Sequence, residues 1–136
     1  MSDGDPDGRT TGVAEPRSAA FNVLVGLTTL AVLLQGLWAG IFLQDADEVW
    51  VNVHGAGAYV TAILALAATI VAVVRLRPRT DLVVASVVLT LLILIETGLG
   101  VAVRGGTRGL TVIHVPLALL IMGMAVWLPL KARNAR

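Results

Sequence analysis

Residues 51–64 have the sequence VNVHGAGAYVTAIL, and the apolar run that they begin continues to residue 74 without a charged side chain. A run of about 20 apolar residues is long enough to cross the hydrocarbon core of a bilayer as an α-helix. Four such runs predict membrane spans at about 20–43, 51–74, 82–103 and 110–130. The sequence therefore predicts an all-α, integral membrane four-helix domain over residues 19–131.

The composition of the whole chain agrees with this prediction. Apolar residues make up 57% of the 136 positions and charged residues 14%, and the mean hydropathy is +0.86. A soluble domain has about 25% charged residues. The chain has no cysteine, which excludes disulfides and thiolate metal sites, and it has no basic cluster of the kind that binds nucleic acid. The lipid bilayer is the one partner that this composition requires.

Charged residues predict the orientation of the spans. Residues 1–18 are acidic and rich in glycine and proline, so we expect a disordered cytoplasmic tail rather than a secretory signal. The first loop, QDADEV at 44–49, is acidic. Eight basic residues fall on the other side of the membrane, namely Arg9, Arg17, Arg75, Arg77, Arg79, Lys131, Arg133 and Arg136. Basic residues collect on the cytoplasmic side. The sequence thus predicts a multi-pass plasma-membrane protein with both termini in the cytoplasm.

The two halves of the membrane domain resemble each other. Alignment of VNVHGAGA (51–58) with TVIHVPLA (111–118) has an offset of 60 residues, which also pairs Gly40 with Gly100. LLQG (33–36) matches LIET (94–97) with a slip of one residue. The pattern predicts two repeated helical hairpins related by a pseudo-twofold axis along the membrane normal. Such an axis places equivalent residues of the two hairpins at one depth.

Each predicted span contributes one strongly polar residue to the same half of the bilayer, namely Gln35, His54, Glu96 and His114. Polar side chains are costly in hydrocarbon and normally face the interior of a bundle. Two imidazoles are too few for zinc, which takes three or four protein ligands. They do suit the two axial positions of a haem iron. We therefore expect His54 and His114 to bind haem b.

Other residues are expected to surround this haem. Small residues one turn beyond each histidine leave room for a flat macrocycle, and arginines in the third loop can pair with its propionates. Polar groups on the neighbouring helices can accept the second ring N–H of each imidazole. The expected surrounding residues are Gln35, Gly57, Ala58, Glu96, Arg104, Arg108 and Ala118. Simpler roles exist as well, since histidines at span ends are often only interfacial and Gly36-x-x-x-Gly40 is a helix-packing motif.

The segments LLQGLWAG (33–40), HGAGAYV (54–60), LIETGLG (94–100) and IHVPLALLIMGMAVWL (113–128) carry a family resemblance. They are similar to a family of small four-span bacterial membrane proteins. The arrangement also resembles one half of haem A synthase, whose two four-helix bundles each hold a histidine pair on the second and fourth helices. The resemblance implies that His54 and His114 are haem ligands. Gly55 and Val115 follow them where the synthase commonly has arginine, and there is one bundle, so the synthase's reaction is not implied.

Three functions follow from these features. The first is a bis-histidine haem protein acting in electron transfer or haem handling, with a possible redox partner. The second is a small proton-coupled transporter built around Glu96. The third is a structural or assembly subunit of a respiratory complex, in which the polar layer only sets the helix register.

The predicted topology can be tested with reporter fusions at Asp47 and Arg136. A reporter that is active only in the cytoplasm should be active at Arg136 and inactive at Asp47, because the loop and the terminus lie on opposite sides. Equal activity at both positions would contradict the orientation and the common depth of the polar residues.

Overall fold

The structure of the protein, a computed structural model, describes residues 18–45 and 47–133. It contains no strand within these ranges and confirms the all-α, four-helix prediction. The predicted tail lies outside the described residues apart from Ser18. The helices are α1 (Ala19–Asp45), α2 (Glu48–Arg75), α3 (Thr80–Arg104) and α4 (Thr111–Arg133), and one 3₁₀ turn, Arg108–Leu110, precedes α4.

All four helices are long and apolar enough to cross a membrane, with candidate spans of 25 to 28 residues. The protein is therefore a multi-pass membrane protein. Most helix ends extend slightly beyond the apolar runs of the sequence. The cause is that a helix continues into the headgroup region, where polar and charged side chains are tolerated at its ends.

The helices form a closed ring in chain order. Each packs against its sequence neighbours, and α4 packs against α1, whereas the diagonal pairs α1–α3 and α2–α4 make no direct contact. The start of α1, the α2–α3 loop and the end of α4 lie at one end, which we call the basic end. The opposite end carries both histidines, and we call it the histidine end. The diagonal placement of α2 and α4 sets one histidine-bearing helix across the bundle from the other.

Tight packing is confined to the basic half of the bundle. Its buried core runs from the basic end to about the middle of each helix and ends at Thr28, Thr61, Ile93 and Ile121; beyond these positions no described residue is buried as a whole, although single polar atoms of Gln35 and Glu96 are. The buried apolar residues are Phe21, Val25, Ala65, Ala68, Ala72, Leu76, Leu82, Ala85, Leu89, Ile93, Ile121, Ala125 and Leu128. The fully buried residues of the bundle thus lie in its basic half.

Hydroxyl groups link neighbouring helices within the tightly packed half. The Oγ1 of Thr29 donates to the backbone carbonyl of Ala125, 2.6 Å away, and so joins α1 to α4. Thr69 joins α2 to α3, since its Oγ1 lies 3.0 Å from the carbonyl of Ser86 and 2.9 Å from the Oγ1 of Thr90. Small hydroxyl residues allow close helix approach in lipid and add interhelical hydrogen bonds of roughly 1 kcal/mol each at most.

Replacement of Thr69 by valine should remove both links between α2 and α3 at nearly constant volume. We expect the free energy of unfolding to fall by about 1 kcal/mol, measured by denaturant titration in detergent micelles. Thr97→Val is the matched control, because the Thr97 hydroxyl donates only to Ile93 of its own helix. Equal losses in the two variants would show that the interhelical bonds do not stabilise the bundle.

Candidate functional site

The capped start of α2 fixes the position of His54. The carboxylate of Asp47 accepts a hydrogen bond of 2.8 Å from the backbone N–H of Val49, which begins the helix at Glu48. His54 lies about one and a half turns further along. His114 lies one turn inside α4, which begins at Thr111. The two histidines thus lie at the same end of the bundle, on helices that stand diagonally across from each other.

His54 is anchored to α1 through one ring nitrogen. Its Nδ1 lies 3.1 Å from the backbone carbonyl oxygen of Gln35. A carbonyl only accepts, so Nδ1 carries the proton, and in a neutral ring Nε2 keeps its lone pair. The ring of Phe42 meets the imidazole edge to face at 5.4 Å between centroids. Within residues 18–45 and 47–133, the Nε2 of His54 has no hydrogen-bond partner.

His114 lies against α3 in a comparable way. Its Nδ1 is 3.0 Å from Oε1 of Glu96, and the two side chains are only 21% and 15% exposed. The separation suits a hydrogen bond but the angles do not, so Nδ1 and both carboxylate oxygens have no aligned partner among the described residues. Gly100 permits this arrangement, because a Cβ at that position would lie 3.3 Å from Cε1 of the ring.

The side chain of Gln35 occupies a different place from its carbonyl. Its Nε2 is buried without a partner in the described part of the chain. It lies with the Trp38 ring directly over Gly57, in the position that a Cβ would need. Gly57 therefore admits these two side chains between α1 and α2. Its predicted role in leaving room beside a cofactor stays a prediction, as do the roles of Ala58, which is half-buried, and Ala118, which is exposed.

The structure brings one of the two predicted arginines to the site. Arg104, at the end of α3, reaches across to α2 and donates from Nη2 to Oδ1 of Asn52 at 2.7 Å. Its Nη1 lies 3.6 Å from the position of a Cβ on Gly55, so the guanidinium covers the turn that contains His54. Arg108 is exposed, and its side chain has no hydrogen bond or ion pair within the described ranges.

Sequence reasoning missed three contributors to the site, Trp38, Phe42 and Asn52. Trp38 and Phe42 follow Gln35 by three and seven positions, so Gln35, Trp38 and Phe42 share one face of α1. Asn52 is a polar residue two positions before His54 in an otherwise apolar run. Both signals were visible in the sequence, but neither identified the helix that each side chain would meet.

The donor set does not favour a bare metal ion. Among the described residues, no group of three or more histidine, cysteine, aspartate or glutamate side chains converges as ligands. What the site offers is two imidazoles on diagonal helices, one buried carboxylate and one guanidinium at the rim. Two nitrogen donors suffice only for a metal that brings its other ligands with it.

Comparison with protein-family models, curated proteins and solved structures finds no match for this chain. The resemblance to one half of haem A synthase stays a prediction. The functional argument therefore depends on the residues and contacts of this protein.

The contact between Gly100 and His114 generates a prediction that uses the two histidines as probes. Gly100→Val should displace the His114 ring, because the new side chain would meet Cε1. In protein labelled with ¹³C-histidine, we expect one of the two Cε1–H resonances to move in the nuclear magnetic resonance spectrum. Gly40→Val is the control, since a Cβ at Gly40 meets nothing within 4 Å. If both variants leave both resonances in place, the packing of His114 on α3 is wrong.

Proposed function

We propose that this protein binds one b-type haem through His54 and His114 and acts in electron transfer or haem handling. One observation carries the proposal. Each histidine has its Nδ1 close to an acceptor atom on the preceding helix: that of His54 is hydrogen-bonded to the Gln35 carbonyl at 3.1 Å, and that of His114 lies 3.0 Å from the Glu96 carboxyl without hydrogen-bond alignment. Histidines that bind metal through Nε2 usually have the other ring nitrogen held by a carbonyl or carboxylate in this way.

The two contacts also support the proposed internal repeat. In each hairpin, a residue of the first helix meets the Nδ1 of the histidine on the second helix. The hairpins differ in detail, since one acceptor is a backbone carbonyl and the other a carboxylate. A Cβ at Gly100 would meet the ring of His114, whereas a Cβ at Gly40 would meet nothing within 4 Å. An approximate twofold axis along the membrane normal, with divergence between the two copies, accounts for both the likeness and the differences.

The residues present fit the proposed group. His54 and His114 would hold the iron. Their helices, α2 and α4, stand diagonally across the bundle, so the bundle axis runs between them. The buried polar atoms of this half, the Gln35 amide and the Glu96 carboxyl, lie beside the two histidines, where a bound haem would meet them. Haem would supply one-electron redox chemistry when bound. Glu96 would orient His114, and Arg104 is positioned at the rim for a propionate if it exchanges its bond to Asn52.

The basic residues support a plasma-membrane location with both termini in the cytoplasm. In this orientation the histidine end faces the exterior. A haem held there would lie in the outer half of the membrane, accessible to a redox partner from that side. The role of a structural or assembly subunit of a respiratory complex remains the alternative if no cofactor binds.

Single replacements of the histidines test the proposal. Purified parent protein, after haem addition, should have the absorption spectrum of a six-coordinate low-spin haem. His54→Ala and His114→Ala should each abolish that spectrum, because one imidazole leaves the iron five-coordinate. Thr97→Val, which changes a hydroxyl bonded within its own helix, should keep it.

Two results would refute parts of this proposal separately. A parent protein that stays colourless after haem addition would refute haem binding. A low-spin spectrum that persists in His114→Ala would leave the cofactor in place and refute the ligand pair. Circular dichroism of each variant establishes that the helices are intact.

One observation favours a second candidate, a proton-coupled transporter. Both carboxylate oxygens of Glu96 are buried and lack a hydrogen-bond partner in the described chain. A membrane carboxyl group of this kind is often a proton carrier. Glu96→Gln should shift the haem reduction potential and spare haem binding if Glu96 only orients His114. Loss of proton-driven transport in liposomes, from a parent that binds no haem, would favour the transporter instead.

A further inference from the structure

A groove lies at the basic end, far from the histidines. It runs between the start of α1 and the end of α2 and has a volume of about 510 Å³, within the range of about 300–1,000 Å³ of ligand pockets. Its walls are apolar, and one charged residue stands at its mouth. The lining residues that matter are Ala19, Ala20, Ile70, Val71, Val74 and Arg75. Because both helix ends lie near the membrane surface, the groove opens where lipid headgroups meet acyl chains.

Arg75 is an available cation at this position. It is exposed, and its guanidinium has no hydrogen bond or ion pair within residues 18–45 and 47–133. The neighbouring charges are engaged elsewhere. Asp81 binds both Arg79, at 3.1 Å, and Lys131, at 3.4 Å. Arg77 donates to the backbone carbonyl of Val73 at 3.1 Å. The side of the groove therefore carries a positive charge that no described carboxylate neutralises.

We propose that this groove binds one anionic phospholipid, with an acyl chain along the apolar walls and the phosphate at Arg75. Charge complementarity favours an anionic headgroup at this place. A phosphodiester whose headgroup has no amine has a net negative charge, which the Arg75 guanidinium attracts. Ser18 also borders the groove, and its Oγ accepts a bond of 3.3 Å from the Phe21 N–H. The hydroxyl proton of Ser18 remains able to donate to a phosphate oxygen.

A second, smaller cavity of about 250 Å³ extends the groove at the same end. It shares Ser18 with the first cavity and is lined on its far side by Arg133, at the end of α4. An anionic headgroup at Ser18 therefore lies between a cavity that contains Arg75 and one that contains Arg133. The apolar chain has room in the larger cavity, where three aliphatic residues of α2 form the wall.

Native mass spectrometry of the full-length protein in detergent tests the proposal. The probes are phosphatidylglycerol and phosphatidylcholine with identical acyl chains, added at equal concentrations. We expect a one-to-one complex that forms preferentially with phosphatidylglycerol. Arg75→Gln should weaken it about fivefold, the effect of about one basic residue at a membrane surface. Arg77→Gln removes the same charge from a residue that does not line the groove, and should leave binding near the parent value.

A second variant separates the groove from general charge effects. Ala20→Trp keeps Arg75 but fills the groove from the α1 side, at an exposed position where the helix tolerates a large residue. We expect it to weaken the complex at least as much as Arg75→Gln. Four outcomes would overturn the proposal: no preference between the two lipids, equal losses in Arg75→Gln and Arg77→Gln, displacement of the lipid by inorganic phosphate, or a dimer of the chain that excludes lipid.

Discussion

The constraint on which the rest of the structure depends is the absence of water from the hydrocarbon core. There, every backbone N–H and C=O group must form its hydrogen bond within the protein. An α-helix meets this condition within a single segment, so the spans are helical. The same condition applies to side chains. Thr69 finds partners on α3 through its hydroxyl, and the imidazole of His54 finds the Gln35 carbonyl on α1. Polar groups inside the bundle thus bond to one another, and the exceptions, such as the Glu96 oxygens, mark where chemistry can be expected.

The two halves of the bundle differ in the side chains that they bury. In the basic half, close packing of residues such as Leu89 and Ala125 holds the four helices together. In the histidine half, the side chains are less buried as a whole, and the strongly polar groups of all four helices lie there, with single buried atoms such as the Glu96 oxygens. A bundle that is held at one end can leave space at the other without loss of its fold. In the proposed function, the tight half is the scaffold and the histidine half receives the cofactor.

The sequence predicted the four helices, because long apolar runs permit few alternatives in a membrane. It also predicted that Glu96, about one helical turn deeper than the histidines, could accept a hydrogen bond from an imidazole; the structure places its Oε1 3.0 Å from Nδ1 of His114, without hydrogen-bond alignment. It did not predict that His54 would meet the backbone of Gln35 while the amide packs over Gly57. Helical periodicity identifies the face of a residue but not the rotation of the neighbouring helix.

The central claim is that both histidines bind one iron. Hyperfine spectroscopy of the oxidised, haem-loaded protein, with ¹⁵N introduced only at histidine, tests it most directly. The chain has two histidines, so no other imidazole can contribute to the signal. The account predicts a low-spin ferric centre coupled strongly to two equivalent histidine nitrogens. Coupling to one histidine nitrogen, or to none, would contradict it.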